Sequence, residues 1–199
     1  METRQSMTGQ ESLDLIASMI RNTQRNLEPG DGGPFIIWGM TSFITAAVVA
    51  IGFGLTGSYD WMWAWFFLPV LGFVWKSLAN RKRKQTVTTY VDRVVGQVWL
   101  VLGICVGLIM LSSFLSIVQI PILMIIAMLV FAGQAITGGI IQLRYIKIAG
   151  IVGICLSMGL PFLPLLWQIM AFACLFLFCM VIPGWYMNGQ AKRIIKNQR

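Results

Sequence analysis

Apolar residues in this chain run on continuously instead of marking one helical face. Six such runs stand out, at about 34–56, 61–79, 95–116, 118–138, 147–162 and 164–187. A helix needs about 20 apolar residues to cross the ~30 Å hydrocarbon layer of a bilayer, and most of these runs reach that length. The fifth is the shortest and ends at Pro161 and Pro164, which predicts a tight turn near a membrane surface. The expected fold class is all-α: a polytopic membrane protein with six transmembrane helices in three hairpins.

Two segments break the pattern. Across 10–27 the apolar residues Leu13, Ile16, Ala17, Ile20 and Leu27 share one helical face, with Glu11, Asp14, Ser18, Arg21 and Arg25 largely opposite. This reads as an amphipathic N-terminal helix, ended by Pro29, Gly30, Gly32, Gly33 and Pro34. It would lie at the interface, stay loosely tethered, or dock on this protein or a partner. After the basic opening of the linker 80–94, Val87, Val91, Val94, Val95 and Val98 recur near helical spacing and lead into the third span. The expected organisation is a helix and hinge over 1–33, a six-helix domain over 34–187 with a basic linker at 80–94, and a basic tail over 188–199.

Charge gives the orientation. All fifteen Lys and Arg residues fall in the N-terminal segment, the linker after the second span, the connection after the fourth, or the tail. The other three loops contain none. By the positive-inside rule both termini are expected in the cytoplasm. Residues 1–33 carry net charge −2 and the remainder +10, so the amphipathic helix would be attracted to the protein's own basic face. The run Arg81, Lys82, Arg83 and Lys84 is a topology anchor or a contact for acidic lipid head groups or a partner. Tryptophans fit an interfacial belt, with Trp38, Trp75, Trp99 and Trp185 at inner span ends and Trp61, Trp63, Trp65 and Trp167 at outer ones. Residues 1–33 lack a short apolar region with a cleavage site, so the first span is expected to be retained.

Composition then narrows the chemistry. Only 11% of the 199 residues are charged and 57% are hydrophobic, against about 25% charged in a soluble domain. Histidine is absent, which removes the commonest metal ligand and the usual proton carrier near neutral pH. Cys105, Cys155, Cys174 and Cys179 sit in apolar runs without C-x-x-C spacing, where a thiol behaves as a small hydrophobe. No phosphate loop, zincin helix or calcium loop occurs. The chain is expected to be no enzyme, to need no cofactor and to bind no nucleic acid; its expected partners are membrane lipid and a cytoplasmic protein or a second copy.

Away from their ends the spans contain no Asp, Glu, Lys or Arg. Gln134 is the deepest amide, beside Thr137, Gly138 and Gly139. Such a group needs a partner, which makes Gln134 and Thr137 either a link between helices or part of a pocket for a small polar ligand. Small residues at four-residue spacing predict close packing: Ser42, Ala46, Ala50 and Gly54 on the first span, Gly103 and Gly107 on the third, and Ala149, Gly153 and Ser157 on the fifth. These odd-numbered spans are expected to form the inner seam. Gly103-Ile104-Cys105 recurs as Gly153-Ile154-Cys155, and Gln119-Ile120 as Gln168-Ile169, which suggests a repeated hairpin.

The segment Glu11-Ser12-Leu13-Asp14-Leu15-Ile16, with Met19-Ile20, Asn22-Thr23-Gln24 and Pro34-Phe35-Ile36-Ile37-Trp38-Gly39, resembles the start of small uncharacterised polytopic inner-membrane proteins of Bacteroidetes. The resemblance covers about the first 40 residues and the multi-span plan. It implies a bacterial cytoplasmic membrane and a cytoplasmic N-terminal helix, and it carries over no functional residue. The functional expectation is a regulatory or scaffolding component that contacts a partner through helix 10–27 and linker 81–93. The alternative is a small transporter or channel for a neutral or apolar solute.

Overall fold

Helix is the only regular structure among the described residues, and it falls in six stretches long and apolar enough to cross a membrane. The structure is a computed structural model, and it describes residues 32–80, 90–115 and 121–197 together with Gln10. The expected helix 10–27, the basic run Arg81–Lys84 and the start of the linker lie outside the described residues. The helices are α1 (Gly33–Thr56), α2 (Phe67–Asn80), α3 (Tyr90–Phe114), α4 (Ile122–Ile140), α5 (Arg144–Ser157), α6 (Leu165–Phe176) and α7 (Ile182–Asn197).

Local sequence explains where the spans depart from plain α-helix. The second begins as a 3-10 helix, Tyr59–Phe66, ahead of α2. Pro69 offers no N–H to the carbonyl of Trp65, so the α ladder cannot extend back through this point. At 2.0 Å per residue the 3-10 piece covers about 16 Å, where an α-helix would cover about 12 Å. The fifth span ends in a short 3-10 turn, Leu160–Phe162, at the first of the two expected prolines. The sixth span is α6, a π-helical turn over Leu177–Val181, and α7 in one unbroken run. The basic segment expected as a tail is therefore helical through Asn197, as the end of α7.

The core lies between α1, α4, α5 and the sixth span. Buried Phe131, Phe172 and Phe176 form its aromatic centre. Phe131 and Phe176 lie 5.1 Å apart, and Phe172 stacks on Phe176 at 4.5 Å. Trp65 of the second span reaches Phe172 edge-on at 5.3 Å. In a membrane such contacts act through packing and not through escape from water, because lipid tails are as apolar as the side chains.

This arrangement corrects the expected seam. Ser42, Ala46 and Ala50 are buried on α1, and Gly153 and Ser157 on α5, with Ala149 half-buried. Gly54 is exposed. Gly103 and Gly107 face away from the bundle, and a Cβ at either would meet nothing within 4 Å. None of the spanning part of α3 is buried. The physical reason is that lipid imposes no penalty on an outward apolar face, so a small-residue row is not forced inward. What locates the seam is a fit of bulk into gaps. A Cβ on Gly150 would come within 2.6 Å of the Ala135 backbone nitrogen, and one on Gly153 within 2.5 Å of the Phe131 ring. The glycines of the repeated Gly-Ile-Cys triplet thus have opposite surroundings, one open and one crowded.

The α4–α5 turn keeps this hairpin tight. Gln142 adopts φ 55°, Leu143 N–H donates to the Gly138 carbonyl at 2.9 Å and Gln142 N–H to Gly139 at 3.3 Å. This is the two-bond C-terminal cap in which a left-handed residue turns the chain, here with Gln at the position usually held by Gly.

Substituting alanine into the four glycines should separate them by sign. Gly150→Ala and Gly153→Ala should each destabilise by about 1–3 kcal/mol through overpacking. Gly103→Ala and Gly107→Ala should leave stability unchanged or raise it by up to about 1 kcal/mol through helix propensity. Thermal unfolding in detergent reads the difference, and equal losses at all four sites would contradict the described seam.

Candidate functional site: the Gln134–Cys179 junction

The sixth span has a proline in its interior. Pro183 has no N–H, so the carbonyl four residues earlier, on Cys179, lacks its regular helical donor, and the ring crowds that same carbonyl. The helix responds by widening: Ile182 N–H donates to Leu177, five residues back, within the π-helical turn. Pro183 itself still gives Cys179 no proton. In hydrocarbon an unsatisfied backbone group costs several kcal/mol.

The missing donor comes from another helix. Gln134 on α4 is fully buried, and its Nε2 donates to the Cys179 carbonyl at 2.6 Å. The acceptor settles which amide atom faces it, since the side-chain oxygen in that place would meet another lone pair. Gln134 Oε1 has no hydrogen-bond partner, and neither does the buried Thr45 Oγ1 on α1. The deep amide therefore links two helices, which is one of the two roles open to it from the sequence.

A second polar contact lies one turn along α4. Thr137 Oγ1 donates to its own helix at Gly133 O, at 2.7 Å, and accepts from Trp99 Nε1 at 3.1 Å. Trp99, expected as a belt residue, joins α3 to α4 through this bond. Its ring also meets Phe35 of α1 edge-on at 6.3 Å. Trp61 likewise lies over Gly52 and donates to Thr56 Oγ1 at 3.0 Å. Gln134 and Thr137 are thus neighbours with separate partners.

Near the basic end the first and sixth spans meet. Gly32 N–H donates to Asn188 Oδ1 at 3.1 Å, and Gly32 and Gly184 approach so closely that a Cβ on Gly32 would collide with the Gly184 carbonyl. Tyr145 and Tyr186 pack edge-on at 4.9 Å beside this contact region. Two apolar recesses of about 470 Å³ each open on the sides of the bundle. One lies between α1 and α2; the other lies between α5 and the sixth span and includes Cys174 and Cys179. Gln134 lines neither. The four cysteines are free, and among the described residues no group of three His, Cys, Asp or Glu side chains is placed to hold a metal.

Sequence reasoning singled out Gln134 and Thr137 but not Cys179 and Pro183 as what Gln134 faces, nor Asn188 as the partner of Gly32. The available signal was Pro183 itself, since a proline inside an apolar span marks a carbonyl that needs a donor from elsewhere.

A double-mutant cycle tests this pairing. Gln134→Leu should destabilise by about 1–3 kcal/mol, the cost of an unpaired buried carbonyl. Pro183→Ala restores a backbone donor to Cys179, so Gln134→Leu should cost markedly less in that background. Additive effects in detergent unfolding would show that Gln134 does not serve the proline-orphaned carbonyl.

No protein-family model matches the chain, and no curated protein or solved structure matches it significantly.

Proposed function

We propose that this protein is an integral membrane component without catalytic chemistry that works by contact, as a regulatory or scaffolding element. The observation that carries the reading is how the polar groups are used. Gln134 donates to a carbonyl of another helix, and Thr137, Ser157 and Thr41 each donate to a carbonyl of their own, so the donors of these interior groups are taken up by backbone. The second and third spans, by contrast, are almost bare: 6% and 0% of their spanning windows are buried. Surface free for contact is thus plentiful, while an interior constellation of acid, base and nucleophile is not available.

The partner would be met through the N-terminal segment and the basic linker, on the side where Lys and Arg collect. In this reading the membrane is the bacterial cytoplasmic one and both termini face the cytoplasm, as charge sorting favours. The same charge sorting makes acidic lipid or an acidic protein surface the natural complement to Arg81, Lys82, Arg83 and Lys84. The alternative, a small transporter or channel for a neutral or apolar solute, rests on Gln134, which bonds to the sixth span at Cys179 and lines neither recess.

Removing residues 1–28 should leave the six-span region folded in detergent but abolish co-purification of a partner recovered with the full chain after crosslinking in cells. An unchanged set of crosslinked proteins would count against this role for the segment.

A further inference from the structure

We propose that the groove between α1 and α2 is a binding site for one acidic phospholipid, with an acyl chain in the groove and the head group at the basic end of the bundle. The recess of about 470 Å³ is lined by Thr41, Ile44, Leu71, Val74, Trp75 and Leu78. Its α2 wall follows the 71, 74, 75, 78 pattern of a single helical face. Thr41 lies on the α1 wall, and its hydroxyl donates to the Ile37 carbonyl at 2.7 Å. Apart from the Trp75 indole the rest of the lining is aliphatic, which suits a hydrocarbon tail.

Depth and charge select the kind of lipid. Thr41 is eight residues past Gly33, about 12 Å along a helix, and the α2 wall descends from Leu71 to Leu78, near the end of its span. The groove thus occupies the half of the bilayer next to the end where the basic residues gather. The described charged residues of the span ends there are Lys76, Asp92, Arg93, Arg144 and Lys147, a net charge of +3, while the opposite end has Asp60. Lys76 is exposed and directly follows Trp75 in the wall. Its long stem lets the ammonium group reach the head-group layer. An anionic phosphate at this end meets positive charge; at the other end it would meet a carboxylate. The groove is kept open by structure on its flank, where Gly72 backs onto Trp38 and Trp38 packs edge-on against Phe73 at 5.5 Å.

Native mass spectrometry of the full chain, released from detergent after incubation with phosphatidylglycerol or phosphatidylcholine of identical acyl chains, tests the proposal. One phosphatidylglycerol should be retained per chain in preference to phosphatidylcholine. Leu71→Trp and Val74→Trp, which fill the groove from an exposed face, should each abolish retention while the circular dichroism and unfolding temperature stay as in the parent. Lys76→Gln should lower the preference for phosphatidylglycerol by about fivefold, the effect of roughly one charge near the surface. Equal retention of both lipids, or undiminished phosphatidylglycerol in both tryptophan variants, would overturn the site. So would a dimer mass without bound lipid, which would assign the groove to a second copy. Should one tryptophan variant fail to fold, the other and Lys76→Gln still decide.

Discussion

A carbonyl deprived by proline of its regular helical donor, held in the interior of a membrane bundle, is the constraint on which the rest of this architecture depends. Pro183 removes the regular helical donor, and a side chain from a different helix reaches Cys179 in its place. That requirement sets the depth and rotation of the sixth span against α4. The aromatic core shares the register: Gln134 meets Cys179 and Phe131 meets Phe176 with the same sequence offset, so the polar bond and the ring contact reinforce one alignment. Gly153 then takes its place, since the Phe131 ring positioned by this register leaves room for no side chain there.

Two kinds of order coexist in the molecule. Along the membrane normal, hydropathy and charge decide where each residue sits. Within the membrane plane neither has any force, because every span is apolar and lipid is an acceptable neighbour for each of them. Lateral order comes instead from steric fit and a few donors: glycine against backbone at Gly150, indole against hydroxyl at Trp99 and Thr137. The helices with fewest such features, α2 and α3, end up on the outside.

This division explains how much was legible in the chain. The six spans could be read directly, because about 20 apolar residues in sequence have few other uses. The depth of Gln134 and its need for a partner were legible as well. Which helix would answer was not, since one amide in a row of apolar spans carries no label for its acceptor. Gly103 and Gly107 misled because the same spacing serves a packed face and a lipid-facing one, and only the bulk opposite distinguishes them. Gly52 and Gly150 passed unnoticed for the converse reason: their importance lies in Trp61 and Ala135, residues on the neighbouring element across a turn.

The bond between Gly32 and Asn188 joins the entry of the first span to the exit of the last. The circuit of six helical spans therefore closes on itself, with the first and the last meeting on the rim of the bundle. The first span thus begins beside the stretch of α7 that leads into Lys192, Arg193 and Lys196. To a molecule approaching from that side, the start of the first helix and the run of the last constitute one address.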